Sequence, residues 1–488
     1  MAFKSACPRV ILASFFPPYR LHNRFQTQFD ALRAQAPALR REDASARRQR
    51  LRRLADWLTA HRTEVQQALH QDFRKPPAET DLTEIWPLLT ELKHTSRHLK
   101  KWLAPQPVST PLALAGTKSW VQAEPKGVVL IIAPWNYPFY LALDPLVSAI
   151  AAGNAVAIKP AEQTPATSAL LRRLCKELFQ PHEVLVLEGG KDVATELLRL
   201  PWNHIFFTGS PQIGKLVMHA AAEHLSSVTL ELGGKSPAIV DATANLRDAA
   251  EKIAWGKFIN AGQTCVAPDY VLVQASAYAG LVAELQAAIR RYYNSDDKGI
   301  IQSESFARIV NAHHFARLAR MLEDAQSHGA TVLGGEIDEH QCYLGPTILT
   351  NVPAEATVLQ EEIFGPLLPL IPFETLPEAA AYVNARLPPL AQYVFTTSTQ
   401  NQRYLLDAIA AGGAAVNETI IQLAHPELPF GGVGNSGLGK AHGYAGFLAF
   451  SNEKAVLRQR IGRTGIKVMY PPYTSRVKQL VGWLLRYL

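Results

Sequence analysis

Residues 127–162 read GVVLIIAPWNYPFYLALDPLVSAIAAGNAVAIKPAE. Residues 127–133 form a continuous apolar run, a helix-length apolar stretch covers 141–152, and 155–158 is apolar again. A strand buried on both faces needs no polar alternation, so this spacing predicts a strand–helix–strand unit with parallel strands. The texture continues outward. Apolar runs at 184–187, 205–207 and 228–230 alternate with helical stretches at 164–179, 192–198 and 212–223. That alternation predicts an α/β fold with a doubly wound parallel sheet. A second α/β series follows, with strands at 238–240, 270–273 and 394–396 and helices at 246–260, ending near Tyr293, 306–328 and 402–411.

Toward the N-terminus, apolar residues Leu51, Leu54, Leu58, Val65 and Leu69 recur at helical spacing across residues 43–72. The opposite face carries Arg47, Arg48, Arg50, Arg52 and Arg53. With no aromatic residues interleaved, it reads as a solvated helix face and not as a nucleic-acid stripe. Residues 105–124 are rich in Pro, Ala and Ser and lose helical periodicity, marking an excursion from the main body. Residues 1–25 read as a weakly ordered extension and not as a signal peptide.

At 488 residues, two or more domains are expected. The apolar share of 48% is too high for disorder, and 49 Lys+Arg against 42 Asp+Glu give a net charge of +7, too mild to indicate nucleic acid. Cys7, Cys175, Cys265 and Cys342 are far apart, which argues against disulfides or a zinc ribbon and for a reducing, cytoplasmic setting. No run of about 18 apolar residues predicts a membrane span. The fifteen histidines are read as showing no His-x-x-x-His or comparable metal spacing on a predicted helix, so metal catalysis is not expected, and His313 and His314 are read as surface residues.

In a parallel sheet ligands bind beyond the carboxyl ends of the strands. There the sequence places Trp135 and Asn136, Lys159 and Glu162, Gly209 and Ser210, and Glu231, Leu232 and Gly233. The stretch Gly209 to Lys215 opens a helix after a strand, where a phosphate is favoured. Leu216 stands where a P-loop needs a Ser or Thr for magnesium, so an ATPase is not expected. Cys265 follows Gly262, Gln263 and Thr264, and from spacing alone it is equally a buried hydrophobe or an exposed thiol.

Seven collinear stretches carry a resemblance: PWNYPF (134–139), AAGN (151–154) with Lys159 and Pro160, FTGS (207–210), ELGGKSP (231–237), GQTCVAP (262–268), EEIFGP (361–366) and LPFGGVGNSG (428–437). Together they resemble the aldehyde dehydrogenases, in particular the class 3 or fatty-aldehyde branch. The resemblance implies that Cys265 is the nucleophile, Glu231 the general base and Asn136 the oxyanion donor. For NAD or NADP it implies Lys159 and Glu162 at the adenosine ribose, Gly209, Ser210 and Gly214 at the pyrophosphate turn, and Glu362 and Phe364 at the nicotinamide, with Trp135, Leu232 and Gly233 lining the same site. No metal is implied.

The same resemblance implies an NAD(P)-binding domain at 26–106 and 125–232 with a return near 425–450, and a catalytic domain at 233–424. A small β oligomerisation flap would be built from 107–124 and 451–472. A homodimer and an aldehyde substrate are implied, medium- or long-chain or aromatic. The apolar tail at 473–488, with interspersed cations, suits peripheral membrane contact, a lid over the substrate tunnel or equally a helix packed on the subunit's own surface. A cofactor-independent thiol esterase and a catalytically silent scaffold are the alternative readings.

Overall fold

The computed structural model describes residues 23–111, 114–462, 467 and 469–487; the expectations for Cys7 and for residues 1–22 lie outside these. The fold is α/β, with two largely parallel sheets, a three-stranded antiparallel sheet and a two-stranded antiparallel pairing of Ile337–Asp338 with Tyr343–Leu344 among the described residues. The first sheet runs, in spatial order, Gly437–Leu438, Ser227–Leu232, His204–Gly209, Val128–Ile132, Ala155–Lys159 and Val184–Val186. Gly437–Leu438 pairs antiparallel and the other pairs are parallel. Alternate residues of the central strands serve opposite cores. Val129, Ile131, Val156 and Ile158 pack in the core that includes helix Tyr140–Ala152. Val128, Leu130, Ala155 and Ala157 pack with Phe29 and Leu32 of helix Gln26–Arg40. Every position of these two strands is therefore buried, which is why they read as unbroken apolar runs. The winding reverses between Val128–Ile132 and His204–Gly209, so their carboxyl ends frame a crevice.

The second sheet runs Thr331–Gly334, Thr347–Thr350, Leu367–Phe373, Tyr270–Gln274, Pro237–Val240, Ala391–Phe395 and Gly413–Val416. Ser227–Leu232 of the first sheet passes through residues 233–236 directly into Pro237–Val240 of the second. The carboxyl edge of one sheet thus leads onto the amino edge of the other. Apart from both, Gln106–Val108, Thr117–Pro125 and Ser451–Gln459 form a three-stranded antiparallel sheet.

Several expectations need correction. The helix read over 43–72 is two helices, Ala44–Ala60 and Arg62–Phe73, interrupted at His61. Its arginine face is not simply solvated. Arg47 is buried and its guanidinium donates to Ala151 O (3.0 Å) and Ala152 O (2.6 Å), satisfying carbonyls that helix Tyr140–Ala152 cannot pair itself. Arg50 pairs with Glu42 and Glu183. The helix read from 306 begins only at Ala312, where the Asn311 side chain caps it by accepting from His314 N–H; before it, Arg308 N–H donates to Phe73 O across the chain. The helix Trp86–Leu103 was not anticipated. It sets His94 and His98 one turn apart, so the expectation that the histidines form no metal-type spacing is also wrong.

Candidate active site

Cys265 sits in a loop whose shape is imposed by its own backbone. Asn260 and Ala261 adopt left-handed φ of 55° and 51°, and Gly262 follows at 77°. A Cβ on Gly262 would lie 2.3 Å from Gly365 O, so only glycine fits. Two adjacent non-glycine residues in this region hold strain that the surroundings must fix. They do so with hydrogen bonds. Gln263 Nε2 donates to Asn260 O (2.9 Å) and Arg308 O (3.0 Å), its Oε1 accepts from Val310 N–H (3.0 Å), and Asn260 N–H donates to Glu79 (2.9 Å). Tyr393 donates its hydroxyl to Val266 O (2.6 Å).

Asn136 lies at the carboxyl end of strand Val128–Ile132, and it is buried. Its amide nitrogen donates to Gln263 O (3.0 Å), and Asn260 Nδ2 donates to Asn136 O (2.9 Å). A primary amide has two N–H groups, so one remains to serve the site. The adjoining turn is pinned by Glu84, which accepts from Phe139 N–H (3.0 Å) and Tyr140 N–H (2.9 Å) at the start of helix Tyr140–Ala152. Lys75 pairs with the other Glu84 oxygen at 2.8 Å and covers the Tyr137 ring at 4.1 Å, with both charges fully buried. A buried pair of this kind is costly to break by removing one partner, so it acts as a rigid clamp on residues 136–140.

Glu231 ends strand Ser227–Leu232. Both of its carboxylate oxygens are buried without a hydrogen-bond partner. Burial raises its pKa well above the usual carboxylate range, with Asp144 adding to the shift and Lys440 opposing it. The Cys265 thiol is pushed up to about 12 by burial and by the carboxyls of Glu362 and Glu231. Both shifts favour the protonated forms, so the Glu231 carboxyl has to ionise before it can accept a proton.

Of the predicted site residues, all but Lys159, Glu162 and Gly214 line one cavity of about 230 Å³. Lys159 is buried at the end of strand Ala155–Lys159 and pairs with the exposed Glu162, beyond that cavity. Gly214 lies in helix Pro211–Glu223, where a Cβ would sit 2.7 Å from the Leu232 side chain; it brings the helix close to the strand. Ser210 caps that helix, its Oγ accepting from Ile213 N–H (3.4 Å). The cavity suits the nicotinamide end of a dinucleotide. A Cβ at Gly233 would meet the Glu362 carboxylate at 2.2 Å, and Thr208 Oγ1 and Glu362 Oε1 are buried there without partners. Burial, with Asp269 adding, raises Glu362 to about 8, so it can donate as well as accept.

Sequence reasoning missed Thr208, His314 and Arg317 in this lining. His314 is not a surface residue: it is half-buried against Trp135 (4.6 Å between ring centres), and Trp135 meets Phe364 edge-on at 5.3 Å. Burial, then Arg317, holds His314 down to about 4, so this ring is neutral. Arg317 donates to Glu362 O (3.3 Å) and Ile363 O, steadying the segment that carries Glu362 and Phe364. Its signal, one turn beyond His313 on an otherwise ordinary helix, was too weak to single out.

A second cavity, about 150 Å³ and apolar, lies on the other side of the loop. Trp86, Tyr137, Trp255, Ile420, Leu423 and Phe430 are among its walls. Cys265 lines both cavities, whereas Asn136 and Glu231 line only the first.

Residues 22–456 match the aldehyde dehydrogenase family. A Staphylococcus aureus protein named 4,4'-diaponeurosporen-aldehyde dehydrogenase is 43% identical over 90% of this chain and 94% of its own length. Aldehyde dehydrogenase family 3 member B2 of Mus musculus is 40% identical over 93% of this chain and 94% of its own. Among solved structures, the substrate-bound state of Staphylococcus aureus AldH superposes with a TM-score of 0.90 at 40% identity, covering 94% of this chain and 99% of that one. PnpE from Pseudomonas in complex with nicotinamide adenine dinucleotide superposes with a TM-score of 0.81 at 26% identity, covering 89% of this chain and 90% of that one.

Proposed function

The chain belongs to the aldehyde dehydrogenase family, as an NAD(P)-dependent enzyme with family 3 members among its relatives, and on that footing we propose that it oxidises apolar aldehydes, medium- or long-chain or aromatic, through a thioester on Cys265. The observation that carries this reading is a sulfur shared by a cavity that holds Asn136, Glu231, Arg317 and Glu362 and by a second, almost wholly apolar one. The first fits the nicotinamide end of the dinucleotide. Glu362, Phe364 and Trp135 would hold its nicotinamide end, residues 209–214 its phosphates at the helix start, and Lys159 with Glu162 its adenosine ribose. The body around residues 26–106 and 125–232 is then the cofactor domain, and 233–424 the catalytic one.

The reaction follows from the chain's own groups. With its thiol held near 12, Cys265 must first give up a proton. In its ionised form Glu231, whose two oxygens are buried without a hydrogen-bond partner, is the nearby base that can take it. The thiolate bonds to the aldehyde carbon, and the resulting oxyanion is held by the spare Asn136 N–H and the Cys265 backbone N–H, each worth about 3 to 4 kcal/mol. Bound NAD(P) supplies hydride acceptance from that carbon. Once Glu231 has released that first proton to solvent, it draws another from the water that attacks the thioester, the carbon–sulfur bond breaks, and the acid leaves with Cys265 returned as a thiolate.

On the apolar side each buried methylene contributes about 0.8 kcal/mol. For a homologous series of straight-chain aldehydes, kcat/KM is therefore expected to rise by up to about fourfold per methylene until the cavity is filled, read as reduced-cofactor absorbance with NAD and with NADP. A flat profile would remove the apolar cavity from substrate recognition.

The small antiparallel sheet, with the nine-residue strand Ser451–Gln459 at its edge, supports a homodimer formed by pairing with a partner's sheet. Helix Ser475–Tyr487 exposes Val481, Trp483 and Leu485 beside Lys478 and Arg486, which suits the surface of an anionic membrane. Among the described residues no helix is long and apolar enough to cross a membrane. Light scattering should give twice the monomer mass, and anionic vesicles should carry the dimer with them. A monomer, or a dimer left in the supernatant, contradicts the corresponding half of this assignment.

A further inference from the structure

We infer that His94, His98 and Glu427 form a binding site for a divalent zinc-type cation on the outer side of the wall of the apolar cavity. One ligand atom from each lies within 4.8 Å of the other two. The two histidines stand one turn apart on helix Trp86–Leu103, with ring centres 4.3 Å apart. Imidazole and carboxylate are ligands zinc accepts, and three protein ligands leave a position for water. Glu427 comes from the loop that also supplies Leu423 and Phe430 to the apolar cavity, and the helix supplies Trp86 to it.

The ligands are prepared for this. His98 Nδ1 is 2.9 Å from the carbonyl oxygen of His94, which fixes the ring as the tautomer with Nε2 free to bind an ion. Trp102, on the next turn, flanks both rings at 5.7 and 6.0 Å and limits their rotation. All three residues line an open cavity of about 520 Å³, so an ion and its waters can enter. Bound there, the cation would fasten the loop that walls the apolar cavity to the helix behind it. None of this depends on the catalytic assignment.

The test is calorimetric titration of Zn²⁺ into full-length protein freed of metal by chelation, in a Cys265→Ala background so that the active-site thiol cannot take the ion. One equivalent is expected to bind and to raise the melting temperature, because the ion binds the folded state. Glu427→Gln should weaken binding at least about tenfold, and His94→Ala combined with His98→Ala should abolish it. Co²⁺ in place of Zn²⁺ should give a visible ligand-field band that the same changes remove. Glu427 is exposed, so its substitution decides the matter even should the double variant fail to fold. Absence of uptake by the parent, or uptake that all variants share, would overturn the site.

Discussion

Cys265→Ala is expected to give a folded protein that still binds dinucleotide yet forms no reduced cofactor from any aldehyde, with turnover lower by at least about 10⁴-fold. The fold should survive because the side chain is only half-buried and faces open space on two sides. The loop around it is held by Gln263, Asn260 and Tyr393, none of which bonds to the sulfur. Chemistry should stop because no other described cysteine lines either cavity. Cys175 is fully buried, with its thiol also raised to about 12, and Cys342 sits on a turn beside strand Tyr343–Leu344. Absorbance at the reduced-nicotinamide band, with circular dichroism to verify folding, makes the comparison. Turnover within tenfold of the parent would take Cys265 out of the reaction.

Glu231→Gln is expected to separate the two halves of the cycle. Oxidation should still yield up to one equivalent of reduced cofactor in a first burst, and steady turnover should then fall by roughly 10² to 10⁴. The parent's pH profile carries the same signature. Burial and Asp144 favour the neutral form of this carboxyl, so the basic form grows only as pH rises through its raised pKa. Thioester hydrolysis should therefore speed up as pH rises and lose that dependence in the Gln variant. Rapid-mixing absorbance would show both effects. Matching steady-state rates, or an unchanged pH profile, would assign the base elsewhere.

The parallel sheets were legible because strands covered on both faces leave continuous apolar runs, as at Val128–Ile132 and Ala155–Lys159. Strands Thr331–Gly334 and Leu367–Phe373 escaped notice. The first is an edge strand with few buried positions, and the second is interrupted by Pro369 and Pro372, which weaken a strand signal. Among the predicted site residues, those named by a dense motif converge on one cavity. Such a motif reports backbone constraints, and glycines like Gly233 leave a visible trace of them. Arg317, His314 and the Lys75–Glu84 clamp were invisible because their role depends on contacts between segments far apart in the chain. The overlooked His94 and His98 were a different failure: their spacing is plain, but the helix carrying them had not been recognised.

The placement of one atom between two chambers has a consequence for traffic. On the proposed reading each cargo would have its own doorway, and neither would have to pass the other to reach the meeting point. A spent carrier would depart while the acyl chain stayed moored, and the room it vacated would be the one that Glu231 lines, where the water that ends the proposed cycle would arrive.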